Sequence, residues 1–147
     1  MKQVAFTDTK GQIMYIITPG GDNDYINGVM YGDYIARDVP ANADPTAFMI
    51  ENYYENGDWV YRGKKPSDFH VWANSSWELD QSLLFTAIRS KRDNLLLLSD
   101  WTQLSDVVLS DSKKEEWALY RQALRAVPQN NQNATSMEDV SWPVPPA

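Results

Sequence analysis

The first 79 residues contain short hydrophobic segments separated by turn-forming residues, which is typical of β-strands. The predicted strands are residues 4–6, 12–18, 29–35 and 48–54. Residues 8–11, Asp-Thr-Lys-Gly, fit a hairpin loop between the first two strands. Residues 19–23, Pro-Gly-Gly-Asp-Asn, predict a break in regular structure.

The strongest local signal in this part of the chain is Asn56-Gly57, between residues 50–54 and 59–62. Asn-Gly favours the positive φ angles of a type I′ turn, whose twist matches that of two paired strands. Pro66 ends this hairpin. A second, smaller hairpin is predicted from residues 69–72 and 77–79, with its turn at residues 74–76.

From Asp80 onward the hydrophobic period becomes helical. The first predicted helix begins after an Asp80 N-cap and runs to about Leu98. The residues that recur at helical spacing are Leu83, Leu84, Ala87, Ile88, Lys91 and Leu95. A second helix is capped by Ser110 or by Ser112, and Ser112 with Glu115 fits a capping box. Its apolar stripe is Trp117, Tyr120, Ala123, Leu124 and Val127, and Pro128 is expected to stop it.

These patterns predict an α+β fold: a small antiparallel β domain of hairpins, a C-terminal αα-hairpin and an extended Pro-rich tail. The predicted boundaries are 1–79 for the β-rich domain, 80–128 for the helical hairpin and 129–147 for the tail. Residues 129–141 are polar and are expected to form a loose linker. Residues 142–147, Trp-Pro-Val-Pro-Pro-Ala, favour a polyproline II conformation.

Charge and composition narrow the classes of partner. Residues 1–80 contain 12 acidic and 6 basic side chains, so they carry nearly all of the net charge of −7. An acidic surface repels phosphate backbones, so we expect no nucleic-acid partner. We also expect no membrane partner, because the sequence has neither a basic stripe nor a long apolar segment. The chain has no cysteine, which excludes disulfides and Cys-ligated metals, and its first residues do not resemble a secretory signal.

No motif forms a coherent catalytic or metal site, so we predict a protein that is not an enzyme and has no cofactor. His70 is the single histidine and lies in a predicted strand, where a structural role is more common than metal binding. Asp22, Asp24 and Asp33 imitate part of a calcium loop, but Ile26 and Asn27 occupy positions that need an oxygen ligand and a glycine.

Tryptophan and arginine side chains are the candidate partner-binding groups, because both are over-represented in interface hot spots. Trp59, Trp72 and Trp77 are either core residues of the β domain or exposed anchors. Arg121 and Arg125 lie one helical turn apart and form either a solvated face or bidentate hydrogen bonds. Trp142, at the end of a polar tail, needs somewhere to dock: its own helical hairpin, a neighbouring copy or another protein.

The C-terminal part, about residues 81–145, resembles phage tail assembly chaperones and tail-fibre assembly proteins. The likeness is carried by RDNLL (92–96), SDWTQL (99–104) with Asp106, Trp117, YRQALR (120–125), Pro128, and Trp142-Pro143 with Pro145. Such proteins typically end in a helical pair with "DW", "W..YR..LR" and a final "WP..P". The residues before this region are similar to β modules that often precede it in such proteins. The similarity lies in Trp59 to Arg62, Lys65 to Ser67, His70 to Trp72 and Trp77.

The resemblance implies a non-enzymatic chaperone that binds a tail-fibre or other tail protein during folding or trimerisation, in the host cytoplasm. The alternative is a structural virion subunit retained in the tail, baseplate or fibre tip. Whether the chain forms a homo-oligomer is left open. The candidate partner-binding residues are Trp59, Trp72, Trp77, Trp101, Trp117, Tyr120, Arg121, Arg125 and Trp142.

Overall fold

The computed structural model describes residues 1–20 and 24–147. The predicted break at residues 19–23 and the imitation of a calcium loop therefore fall partly outside the described residues. Two compact units are present, Met1–Trp77 and Glu78–Ala147. The β-hairpins lie toward the N-terminus and the long helices toward the C-terminus, which confirms the predicted α+β class.

The first unit contains an antiparallel sheet in the order β2-β1-β4-β3. Its strands are β1 (Val4–Thr7), β2 (Ile13–Ile17), β3 (Met30–Tyr31) and β4 (Tyr34–Asp38). Because successive side chains of a strand point to opposite faces, the central strand β1 buries residues on both. Val4 and Phe6 pack with Ala36 on one face, and Ala5 packs with Ile13 and Val39 on the other. The predicted hairpin between β1 and β2 is confirmed.

The single strand predicted over residues 29–35 is wrong, because a turn divides it into β3 and β4. Gly32 lies at the turn with a φ of 64°, in the left-handed region that glycine adopts without a steric penalty. The chain can therefore reverse within a segment whose hydrophobic content looks continuous.

The strand predicted over residues 48–54 is also wrong in its first half, which belongs to helix α1 (Pro45–Glu51). The Asp44 side chain accepts a hydrogen bond from the Ala47 backbone N–H and caps the helix, and Pro45 occupies its first turn. This Asp-Pro pair is a helix-start signal that the hydrophobic pattern alone conceals. Phe48 and Met49 then pack on the sheet face that contains Ala5 and Ile13.

Two further hairpins match their predictions. Strands β5 (Asn52–Glu55) and β6 (Asp58–Tyr61) pair through Asn56 and Gly57, whose φ angles are 52° and 91°. Strands β7 (His70–Ala73) and β8 (Ser76–Leu79) are joined by Asn74 and Ser75, both also at positive φ. The first unit ends within β8.

The second unit is built on helices α2 (Gln81–Leu98) and α3 (Asp111–Asn130), with a 3₁₀ turn (Asp100–Gln103) between them. The Asp80 cap is confirmed, since its carboxylate accepts from the backbone N–H groups of Ser82 and Leu83. Of the two caps considered for α3, Ser110 is the one used, and it accepts from the Lys113 N–H. The Ser112–Glu115 capping box is therefore wrong.

Pro128 does not stop α3, which continues to Asn130. Pro128 lacks the N–H that would bond to the Leu124 carbonyl, and its ring crowds that carbonyl, but the last turn of the helix still forms beyond it. Residues 131–141 do not form the loose linker that was expected, because hydrogen bonds hold them in place. The Asn131 side-chain oxygen accepts a hydrogen bond from the Ser141 N–H, and its amide nitrogen donates to the Val127 carbonyl. The backbone N–H of Thr135 donates to the Asp139 carboxylate, and this bond, with others from Thr135 and Ser136, lowers the pKa of Asp139.

Candidate partner-binding surface

Ser99 closes the C-terminal end of α2 and starts the connection to α3. Its hydroxyl donates to the carbonyls of Leu95 and Leu96, which lack partners within the helix. Its own carbonyl accepts the buried Thr102 hydroxyl at 2.7 Å. The connection is therefore fastened to the helix end by short polar side chains.

Arg121 joins this connection to α3. The guanidinium is buried, and its Nη1 donates to the Leu96 carbonyl at 2.6 Å and to the Ser99 hydroxyl at 2.7 Å. Its Nη2 forms an ion pair with Asp100 at 2.7 Å. A cation is favoured here because the C-terminal end of a helix carries partial negative charge. One side chain thus fixes the end of α2, the start of the 3₁₀ turn and the middle of α3.

Trp101 lies in the connection that Arg121 and Ser99 hold in place, and 48% of its surface is exposed. Its ring centroid lies 5.9 Å from that of Trp117 on α3, and Trp117 lies 5.6 Å from Tyr120. Tyr120 is buried. The three rings form a series of edge-to-face contacts that runs from the surface into the core, a geometry that aromatic pairs prefer.

Several aliphatic side chains close to Trp101 in the sequence are also exposed. Four consecutive leucines end α2, and a helix cannot turn four neighbours toward one core. Here Leu97 and Leu98 remain outside. We call the exposed apolar residues of this region the connection surface: Leu97, Leu98, Trp101, Leu104 and Val108. A concentration of exposed apolar side chains in one short segment favours a protein-binding site.

Sequence reasoning placed Trp101 among the partner-binding candidates but missed the four aliphatic members of the connection surface. The leucine run was the available signal, since only part of it can be buried by one helix face.

Trp142 is half-buried on the unit's own helices. The Lys91 ammonium lies 4.4 Å from the ring centroid, a cation–π geometry, and Trp142 shares a small cleft with Ala123 and Val127 of α3. Its indole N–H is buried without a hydrogen-bond partner in the described part of the chain. Of the three docking places considered, this is the one in cis.

Arg125 differs from Arg121, because it is exposed to solvent.

The three tryptophans of the first unit are all half-buried. Trp59 donates its indole N–H to the Asp38 carbonyl, and Trp77 donates to the Gly63 carbonyl. Trp72 contacts Trp77 edge-to-face at 5.4 Å. Only parts of these rings are therefore accessible to a partner.

The described residues contain no group of three or more His, Asp or Glu side chains arranged to hold a metal ion. Among the same residues, no helix combines the length and hydrophobicity needed to cross a membrane. The exposed apolar side chains of the connection surface can form protein contacts.

The second unit was compared with known protein families. Residues 85–147 match the model of the phage tail assembly chaperone protein family. The resemblance expected from SDWTQL, YRQALR and the final Trp-Pro is therefore confirmed, over somewhat less than half of the chain. Searches of curated proteins and of solved structures give no match.

The part that matches tail assembly chaperones contains the whole connection surface, Arg121 and Trp142. Its polar motif residues Ser99, Asp100 and Thr102 are engaged in internal hydrogen bonds. Within this part, therefore, the motif has two roles: its polar members hold the connection in place, and Trp101 is left facing outward.

Proposed function

We propose that this chain is a non-enzymatic chaperone of phage tail assembly, which binds a tail-fibre or other tail protein while that protein folds or trimerises in the host cytoplasm. The family match over residues 85–147 supports a role in tail assembly. The observation that carries the proposed binding mode is the exposed Trp101 on a support fixed by Arg121.

The physical requirement for such a chaperone is a surface that covers apolar groups temporarily. Fibre proteins form intertwined β structure slowly, and their unpaired strands and apolar faces promote aggregation until assembly is complete. The connection surface offers apolar area for these faces. Because Trp101 is supported by Trp117 and the connection is hydrogen-bonded, little side-chain freedom is lost on binding.

The test is co-expression of the chain with the tail-fibre protein of its own phage, followed by measurement of soluble fibre trimer. We expect trimer yield to rise with the chain and to fall back with Trp101→Ala, since Trp side chains commonly contribute about 2 kcal/mol or more to an interface. Tyr61→Ala is the matched control, because Tyr61 is an exposed aromatic residue of the first unit, outside the connection surface.

An unchanged trimer yield in the absence of the chain would exclude the fibre as client, and the same experiment with the other tail proteins would then locate it. Equal loss with Trp101→Ala and Tyr61→Ala would contradict the proposed surface. The alternative role, a virion subunit, predicts stoichiometric copies in purified particles, which mass spectrometry measures directly.

A further inference from the structure

A cleft of about 400 Å³ lies within the first unit. The start of β2 forms one side of it and the end of α1 forms another. The rest is formed by β7, by the segment before it and by Trp77 of β8. Its cationic or titratable basic side chains are Arg62, Lys65 and His70, and its aromatic side chains are Trp72 and Trp77.

The charge of this cleft is opposite to that of its surroundings. Residues 1–80 carry 12 acidic and 6 basic side chains, and two of the six, Arg62 and Lys65, line the cleft. The described residues that line it include no Asp or Glu. Because acidic residues are twice as common here, a lining with basic groups alone gives a local positive site in a negative unit.

Arg62 is held in place without a counter-charge. Its Nη2 donates to the Gln12 side-chain oxygen at 2.6 Å, and its guanidinium lies 5.0 Å and 5.3 Å from the ring centroids of Tyr53 and Trp72. Its Nε is buried without a hydrogen-bond partner in the described residues, none of which forms an ion pair with it. Burial lowers the pKa of Arg62, which is the effect of removing its charge from water.

The other polar groups of the cleft are also oriented. His70 Nδ1 lies 2.8 Å from the Ser67 hydroxyl, which fixes the imidazole ring. The Trp77 indole N–H donates to the Gly63 carbonyl, and its ring supports Trp72 edge-to-face. Arg62 and His70 are therefore held in fixed orientations, which reduces the entropy lost when a ligand binds.

The remaining walls are apolar and accessible. Met14, Ile50 and Val71 line the cleft and each exposes more than a third of its surface. Methionine adapts its shape to different apolar partners. A ligand that fits both kinds of wall carries an anionic group and an apolar group close together, which is the chemistry of an acidic peptide segment. A nucleic acid fits less well, because the net charge of −7 repels a polyphosphate.

We propose that this cleft is a second protein-binding site, which takes an extended peptide segment with a carboxylate against Arg62 and Lys65 and a neighbouring apolar side chain against Met14, Ile50 and Val71. This proposal goes beyond the role in tail assembly and does not depend on the connection surface. It assigns a function of its own to the first unit, which lies outside the residues matched to the tail assembly chaperone family.

The experiment uses the full chain and a synthetic capped octapeptide of alternating Glu and Leu, with its Gln–Leu analogue as the uncharged control. Binding is measured by calorimetry and by the indole N–H signals in ¹H–¹⁵N spectra. We expect the Glu–Leu peptide to bind, the Gln–Leu peptide to bind at least about tenfold more weakly, and the Trp72 and Trp77 signals to shift.

Adjacent lysines provide a matched pair of variants. Lys65→Gln and Lys64→Gln remove the same charge one residue apart, but only Lys65 lines this cleft. We expect Lys65→Gln to weaken binding about three- to tenfold and Lys64→Gln to leave it nearly unchanged. Arg62→Gln should weaken it further, and Lys65→Gln keeps the test valid if that variant fails to fold.

The proposal would be overturned by no binding of the Glu–Leu peptide at millimolar concentration, by equal binding of the Glu and Gln peptides, or by equal weakening by Lys64→Gln and Lys65→Gln. Tighter binding of a single-stranded oligonucleotide than of the peptide would also overturn it. A negative result here leaves the co-expression assay of Trp101→Ala unaffected, so failure of this site and failure of the assembly role are distinguishable.

Discussion

Arg121 and Arg125 are chemically identical and lie one turn apart on α3, yet their surroundings differ completely. Arg121 is buried and donates to the end of α2 and to Asp100, whereas Arg125 faces solvent. The spacing of the two arginines predicts a shared helix face but does not say which of them meets another element. That depends on where the connection passes, which is a property of the packed unit.

This contrast gives a residue-scale prediction. Arg121→Lys should lower the free energy of unfolding by about 1–3 kcal/mol, because a single ammonium cannot reproduce the three hydrogen bonds of the guanidinium. The ion pair itself contributes little of this, since Asp100 is more than half exposed. Arg125→Lys, the matched control, should stay within about 0.5 kcal/mol of the unsubstituted protein.

Urea denaturation followed by far-ultraviolet circular dichroism measures both variants, because α2 and α3 supply most of the helical signal. Equal stability losses for Arg121→Lys and Arg125→Lys would contradict the structural role of Arg121.

Among the secondary-structure elements, local chemistry predicted best where it was complete within a few residues. Asp80 capped α2, and Asn56-Gly57 formed a hairpin turn with both φ angles positive. The hydrophobic pattern fails where a run of apolar residues conceals a local signal, as with the Asp44 cap of α1 and with Gly32 between β3 and β4. The connection surface could not be predicted, because burial of Leu97 and Leu98 depends on the position of α3.

Gly11 lies where the β5–β6 hairpin contacts the loop between β1 and β2. Its carbonyl accepts the Tyr54 N–H, and an added Cβ would lie 1.7 Å from the Tyr54 carbonyl oxygen. Gly11 and Gly57 both have positive φ, but a Cβ at Gly57 would meet no atom within 4 Å. Gly57→Ala should therefore cost about 1–2 kcal/mol from backbone strain alone.

Gly11→Ala should cost at least about 2 kcal/mol more than Gly57→Ala, because β5 must move away from the loop between β1 and β2. Urea denaturation followed by tryptophan fluorescence measures the difference. Similar losses for the two variants would mean that this close approach is relaxed without cost.

For the whole molecule, the family match and the fold divide the chain at similar places. The match begins at residue 85, within α2, and the boundary of the two compact units falls between Trp77 and Glu78. The second unit also has buried side chains from both of its helices, including Leu84, Ile88 and Leu124. The hydrophobic period changes at residue 80, just before the first residue of α2.

These observations lead to a prediction about fragments. Residues 78–147, which retain the Asp80 cap, should fold alone, with a cooperative thermal transition and the helical content expected for α2 and α3. Folding should be marginal, since about 70 residues bury a modest core. Removing residues 142–147 should lower the melting temperature further, because Trp142 then no longer packs on Lys91 and Val127. If the fragment folds and still raises trimer yield in co-expression, the client-binding role belongs to the second unit alone; a fragment that is unfolded by circular dichroism would contradict an independent helical unit.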